Sequence, residues 1–209
     1  MKIYNLHAKA ALGKIDFETK TLPDKIGLVT TIQYLPEMKK VSDYLWKKGI
    51  KAALGGQVLG CDVSSVERIK DDISAFLYIG SGEFHPIGVA LKTGKPVYSL
   101  HPESMKIRKI EESEIDKIRR KQKGMLAKFH NSNVIGVIIT TKKGQSEVQG
   151  GIKKIKEIEK RYPEKRFYHF LCDTLDFGSL ENFPFIQAWV NTMCPRIMED
   201  INILNIQDL

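Results

Sequence analysis

The chain has 209 residues, of which 42% are hydrophobic and 9% aromatic, with 33 Lys and Arg against 25 Asp and Glu for a formal net charge of +8. That much apolar material supports a real core and excludes a disordered tail. No stretch reaches the span of a membrane helix or a signal-peptide core, which predicts a cytoplasmic protein with no membrane partner.

The basic runs "IRRKQKG" and "GIKKIKEIEK" interleave charge with Ile at helical spacing. They read as solvated helix faces, and nothing resembles a nucleic-acid-binding signature, so no direct nucleic-acid partner is expected.

In chain order, residues 1–24 are an N-terminal extension, too short for an α/β module. "KIGLVTTIQ", bounded by Asp24 and Gln33, is an apolar, β-branched run and reads as a buried strand. A helix follows: Pro36 suits its first turn, Met38, Val41 and Leu45 share one face, and Gly49 is placed to cap it. "IKAAL" is the next strand, "CDVSSVERIKDDI" a second helix with Val63, Val66 and Ile73 on one side, and "SAFLYIG" a third strand. "HPIGVALKTG" makes a helix from Pro86 to Gly94, and "KPVYSL" a further strand. Strands alternating with helices imply a parallel sheet with helices on its faces.

The pattern then recurs. "NVIGVIITTKKGQSE" echoes "DKIGLVTTIQYLPE", and its helix carries Val148, Ile152, Ile155 and Ile158; "IQAWVNTMCPRI" parallels "ISAFLYIGSGEFHPI". The fold class is therefore α/β, as two duplicated modules with mainly parallel sheets flanked by helices, covering 25–110 and 131–209. A connecting helix at 111–130 joins them, with Ile115, Ile118, Met125 and Phe129 packing against the modules.

Three cysteines, Cys61, Cys172 and Cys194, are far apart and never spaced as C-x-x-C, against a disulfide framework or a ribbon-type zinc site. Cys61 follows a strand, and "NTMCPRI" and "YIGSGEFHP" both follow a central strand, where open α/β sheets bind ligands. Position alone leaves burial of these thiols the favoured alternative. In "GSGEFHP", Gly80, Ser81 and Gly82 can bring backbone N–H groups to an anion at a helix N-terminus, or form a tight turn in which His85 satisfies a local hydrogen bond. No dinucleotide fingerprint, Walker loop, nucleophile elbow or zincin helix is present.

Four segments, "IGLVTTIQYL", "GGQVLGCDVSS", "FLYIGSGEFHPIGVALKTGKPV" and "FIQAWVNTMCPRI", stand in order across 26–198. Together they resemble the diphthamide synthase family, the enzymes of the first step of diphthamide biosynthesis. The resemblance implies three α/β modules related by triplication, each giving one cysteine to a central [4Fe–4S] cluster whose fourth iron is open to S-adenosylmethionine. Cys61 matches the middle-module cysteine and Cys194 the last, and thiolates are the soft ligands such clusters take. Their sulfurs are then expected on one side of the molecule, facing a common cleft. Cys172, beside Phe170 and Leu171, is expected to lie farther off, as a buried or chance thiol.

The same resemblance implies reductive cleavage of S-adenosylmethionine and transfer of its 3-amino-3-carboxypropyl group to a histidine of translation elongation factor 2, with an external electron donor. Gly80, Ser81, Gly82, His85, Gln145 and Arg196 would hold the polar parts of S-adenosylmethionine, Arg196 through its bidentate fork on a carboxylate. The family's first module would precede residue 25, so the third thiolate is expected from a partner chain in a homo- or heterodimer. Two alternatives remain: a non-catalytic partner that stabilises or reduces the cluster of a full-length relative, and an unrelated small-molecule enzyme on the same scaffold.

Overall fold

The computed structural model describes residues 6–59, 62–140, 148–196 and 201–209, and the chain divides into two compact units, Met1–Ile115 and Asp116–Leu209. The first unit holds a sheet of β1 (Lys25–Thr30), β2 (Lys51–Gln57), β3 (Ala75–Ile79), β4 (Val97–Leu100) and β5 (Ile107–Lys109), ordered β2-β1-β3-β4-β5. The first four strands pair in parallel; β5 returns antiparallel, with Tyr98 opposite Lys109.

Alternation along the inner strands divides their side chains between two cores. On one face Ile26, Leu28, Leu77 and Ile79 meet Met38, Val41 and Leu45 of α1 (Met38–Lys47). On the other, Val29, Phe76 and Tyr78 meet Val66 of α2 (Ser64–Glu67) and Val89 and Ala90 of α3 (Phe84–Thr93). Pro36 sits in a 3-10 turn, Ile32–Glu37, ahead of α1.

The extension that precedes β1 contributes to the first core. Leu12, Phe17 and Leu22 are buried in it. Its backbone is tied to the first unit where Gln33 O accepts from Ala10 N at 2.9 Å and the Glu37 carboxylate accepts from Leu12 N at 3.3 Å. The Tyr44 hydroxyl accepts from Phe17 N and donates to Phe17 O, at 3.1 and 2.8 Å.

The helix read over residues 61–73 is not continuous. Within the described residues it is reduced to α2 and a 3-10 turn at Lys70–Asp72. Hydrogen bonds three residues apart, Ile69 N to Val66 O and Asp72 N to Ile69 O, tighten the backbone here. Asp71 and Asp72 stand where the negative end of a longer helix would oppose them. Val63, Val66 and Ile73 are buried all the same, because tight turns can serve the same spacing.

The second unit holds β6 (Val134–Thr140), β7 (Arg166–Cys172), β8 (Ala188–Asn191) and β9 (Leu204–Asn205), all parallel and ordered β7-β6-β8-β9. This repeats the order of the first four strands of unit one. Two further helices are α4 (Glu112–His130), which carries the boundary between the units, and α5 (Val148–Arg161). Met125 and Phe129 of α4 and Ile155 and Ile158 of α5 pack with Ile135, Val137 and Val190, whereas Ile152 is 39% exposed.

A packing detail marks the repeat. A β-carbon on Gly27 would come within 2.6 Å of Ile73 and 2.8 Å of its in-register neighbour Phe76; one on Gly136 would come within 2.4 Å of its neighbour Trp189 and 3.0 Å of Ile186. The glycine of each Ile-Gly strand core exists to receive an aromatic ring from the strand beside it. Among the described residues, no helix is long and apolar enough to cross a membrane.

Candidate functional site

In both sheets the first strand is flanked by the second on one side and the third on the other, so the chain reverses direction across the sheet at the C-terminal ends of the first and third strands. Ligands of open α/β sheets lodge at such a switch point. In unit one it is formed by Thr30, whose hydroxyl donates to Ile79 O at 2.6 Å, and by the loop that leaves β3. In unit two Thr192 matches this link, donating through its hydroxyl to Ile138 O at 2.9 Å.

The unit-one loop contains Gly80, Ser81 and Gly82. Gly82 has φ +77°, a left-handed conformation natural to glycine. Gly80 is glycine for a different reason: its β-carbon would stand 2.4 Å from the Tyr78 hydroxyl. Tyr78 is 1% exposed, and burial, with Tyr34 nearby, pushes its phenol pKa up to about 12. It is thus a neutral hydrogen-bonding group under the loop at any physiological pH.

Helix α3 begins at Phe84 rather than Pro86, which places His85 in its first turn, 5.9 Å from the Tyr78 ring centre to centre. Glu83, at the N-cap, is ion-paired with Arg108 of β5, which Glu114 also engages at 2.8 Å. The Arg108 pKa is raised by the Glu114 hydrogen bond first and by the charges of Glu114 and Glu83. Arg108 therefore offsets the carboxylate at the mouth of this loop, which leaves the helix N-terminus able to favour an anion.

In unit two the corresponding loop leaves β8 and carries Cys194, a free, half-buried thiol, followed by exposed Arg196. Asn191 is 1% exposed and holds the loop from beneath. Its amide donates to Cys194 O at 3.1 Å and to Asn205 Oδ1 at 2.8 Å, while its Oδ1 accepts from Met193 N at 2.8 Å.

Cys61 and Gln145 lie outside the described residues. On either side of residues 60 and 61, the backbones of Leu59 and Asp62 exchange two hydrogen bonds, at 2.9 and 3.1 Å. Hydrogen bonds from Ser64 hold the Asp62 carboxyl below its usual pKa, so it is ionised beside Cys61 in sequence. Cys172 ends β7, the edge strand that corresponds to β2, and packs against the small core of Ile138, Met193 and Ile203. Burial, and then Asp173, push its thiol pKa up, which disfavours the thiolate a metal needs.

Tyr78, Asn191, Asn205 and the Glu83–Arg108 pair are absent from the sequence-based site. The available signal was asparagine closing an apolar strand, in "AWVN" and "ILN", a residue that strands normally avoid. A surface cleft of about 650 Å³ lined by Lys25, Asp43, Trp46, Lys51 and Asp72 lies where β1 and β2 begin, at the end of the sheet away from these loops. Among the described residues, no three His, Cys, Asp or Glu side chains gather as a metal would require.

These features define an α/β protein with two like parallel sheets and a thiol-bearing loop at a strand-end switch point. The family model described as "Putative diphthamide synthesis protein" matches residues 4–202, and the chain belongs to that family. It is 32% identical over 192 residues to the 2-(3-amino-3-carboxypropyl)histidine synthase of Pyrococcus horikoshii, covering 88% of this chain and 54% of that protein. The synthase of Methanocaldococcus jannaschii is 30% identical, with 86% and 47% covered. The crystal structure of Dph2 from Pyrococcus horikoshii with a 4Fe-4S cluster matches with a TM-score of 0.76 at 30% identity, over 90% of this chain and 57% of that one. The chain thus spans about half the length of these relatives.

Proposed function

We propose that the chain acts in the first step of diphthamide biosynthesis, the transfer of the 3-amino-3-carboxypropyl group of S-adenosylmethionine to a histidine of translation elongation factor 2. The observation that carries this reading is Cys194 on a loop fixed by buried amides at the switch point of unit two, in a chain similar to a protein solved with a 4Fe-4S cluster. The residues suit that group: Cys194 is a free thiol, soft and half-exposed, and Cys61 would supply a second. When bound, the cluster supplies the electron that breaks the bond between sulfur and the γ-carbon of S-adenosylmethionine.

The chain's own residues bind and orient. The loop Gly80–Gly82 offers backbone N–H groups, the start of α3 with His85 adds its dipole, and Gln145 and Arg196 contribute donors for the carboxylate. In this reading Cys61 and Cys194 both ligate the cluster. A third thiolate comes from a family member in a homo- or heterodimer, since Cys172 is disfavoured as a thiolate. Relatives named as subunit 1 of the synthase, among them those of Caenorhabditis elegans and Homo sapiens, support work in company with another chain. An external electron donor completes the system, and the reaction belongs in the cytoplasm.

A second reading is a non-catalytic partner that stabilises or reduces the cluster of a full-length relative. Anaerobic purification with iron and sulfide counted per chain tests the cluster, alone and with a full-length family member. The expected result is a brown protein whose iron falls in Cys61→Ala and Cys194→Ala. A colourless, iron-free chain under both conditions contradicts it.

A further inference from the structure

Each unit carries a loop after its third strand in sequence. In unit one, residues 80–83 lead from β3 into α3, whose first turn holds the loop end through Ile87 N and Glu83 O at 3.0 Å. In unit two, residues 192–203 connect β8 to β9, and no helix is found among the described ones. Side chains of β8 and β9 hold the backbone around Cys194.

Asn191 and Asn205 provide that hold. They end β8 and lie in β9 as directly paired neighbours, 1% and 2% exposed. Asn191 donates to Cys194 O at 3.1 Å and to Asn205 Oδ1 at 2.8 Å, and accepts from Met193 N at 2.8 Å. Asn205 donates to Pro195 O at 3.2 Å. The carbonyls of both Cys194 and Pro195 are thereby turned inward onto buried amides, and the N–H of Met193 is bound as well. Three consecutive residues around the thiol are fixed by two side chains that do not titrate.

An apolar residue of similar size at either position would pack but leave these backbone groups buried and unpaired, which is unfavourable. The chemistry asks for a primary amide, with two donors and an acceptor in one plane.

We infer that Asn191 and Asn205 are positioning residues for Cys194, holding its backbone so that the sulfur is presented for ligation. This rests on the cluster reading above and adds to it the residues that make Cys194 a ready ligand. Partners that orient metal ligands typically contribute about 10- to 100-fold in metal affinity.

The test uses the full chain as Asn191→Ala, Asn191→Asp and Asn205→Ser, with far-UV circular dichroism confirming the fold. In the iron-free protein, alkylation by iodoacetamide is timed at Cys194 and Cys172 by peptide mass. Cys194 should react severalfold faster in the variants while Cys172 is unchanged. After reconstitution with ferrous iron and sulfide, the variants should lose iron to a chelator about 10-fold faster or more.

Asn191→Asp is the sharpest arm, since it keeps the shape but sets an oxygen against Cys194 O. If it folds, alkylates at Cys194 at the unaltered rate and retains iron as the unsubstituted chain does, the inference is overturned. Should Asn191 variants not fold, Asn205→Ser decides by the same two readings. If the unsubstituted chain takes up no iron either alone or together with a full-length family member, the cluster reading fails instead, and alkylation alone decides the positioning role.

Discussion

Gly136 lies directly beneath the ring of Trp189, its in-register neighbour on β8, at a distance that leaves no room for a β-carbon: the ring stands 2.4 Å from where one would be. Gly27 and Phe76 repeat the relationship in the first unit at 2.8 Å. Gly136→Ala should destabilise the chain by about 1 to 3 kcal/mol through overpacking against a large, rigid ring. Gly27→Ala should have a smaller effect, because the nearest atom there is the end of the flexible Ile73 side chain. Urea denaturation of the two variants checks the order; equal or reversed losses would contradict it.

That pairing also explains what the sequence made legible. The Ile-Gly cores and their β-branched neighbours announced β1 and β6, and the periodic apolar residues announced α1, α3 and α5, because burial on a fixed period leaves its mark locally. Residues 61–73 misled because Val63, Val66 and Ile73 satisfy helical spacing and tight turns alike. β5 and β9, of three and two residues, are too short to show a period. The Asn191–Asn205 clamp was hidden for another reason: its members are 14 residues apart and meet only through strand pairing.

Lys165 closes the C-terminal end of α4. It is 9% exposed and donates to His130 O at 2.9 Å and Ser132 O at 2.6 Å, with its charge 5.3 Å from the centre of the Phe129 ring. Lys165→Met keeps the stem but strands two carbonyls, and should lower stability by about 2 to 3 kcal/mol. Chemical denaturation gives the value, and a change below about 0.5 kcal/mol, the level of an ordinary surface substitution, would remove Lys165 from this role.

Glu37 ties the N-terminal extension to α1 and carries a pH signature. Its carboxyl lies below the usual pKa because of the Lys40 hydrogen bond first, and also the Leu12 N–H. A lowered pKa in the folded state means that its contribution is complete above the unfolded carboxylate value and disappears as pH falls through the folded one. Glu37→Gln should therefore lower Tm at pH 7, by an amount matching about 1.5 kcal/mol, and the gap to the unsubstituted chain should close below about pH 4. A gap independent of pH would show that the charge is not the cause.

The loop after β3 separates packing from binding. Gly80→Ala would press on the Tyr78 hydroxyl and should reduce stability, whereas Ser81, which is exposed, can be changed to Ala with the fold intact. Calorimetry with S-adenosylmethionine should then find Ser81→Ala weaker by about 10-fold or less, the equivalent of one hydrogen bond. If Ser81→Ala leaves affinity untouched, the hydroxyl takes no part in holding the ligand.

The central claim, that this chain carries part of a diphthamide-forming centre, is tested most directly by methylthioadenosine release. The measurement is made anaerobically with a chemical reductant and S-adenosylmethionine, on the chain alone, on a full-length family member whose own cluster cysteine has been replaced, and on the two together. The account predicts release, and labelling of translation elongation factor 2, in the mixture, and their loss when Cys194 of this chain is changed to Ala. Release that is no greater in the mixture than in either protein alone, or that survives Cys194→Ala, would contradict it.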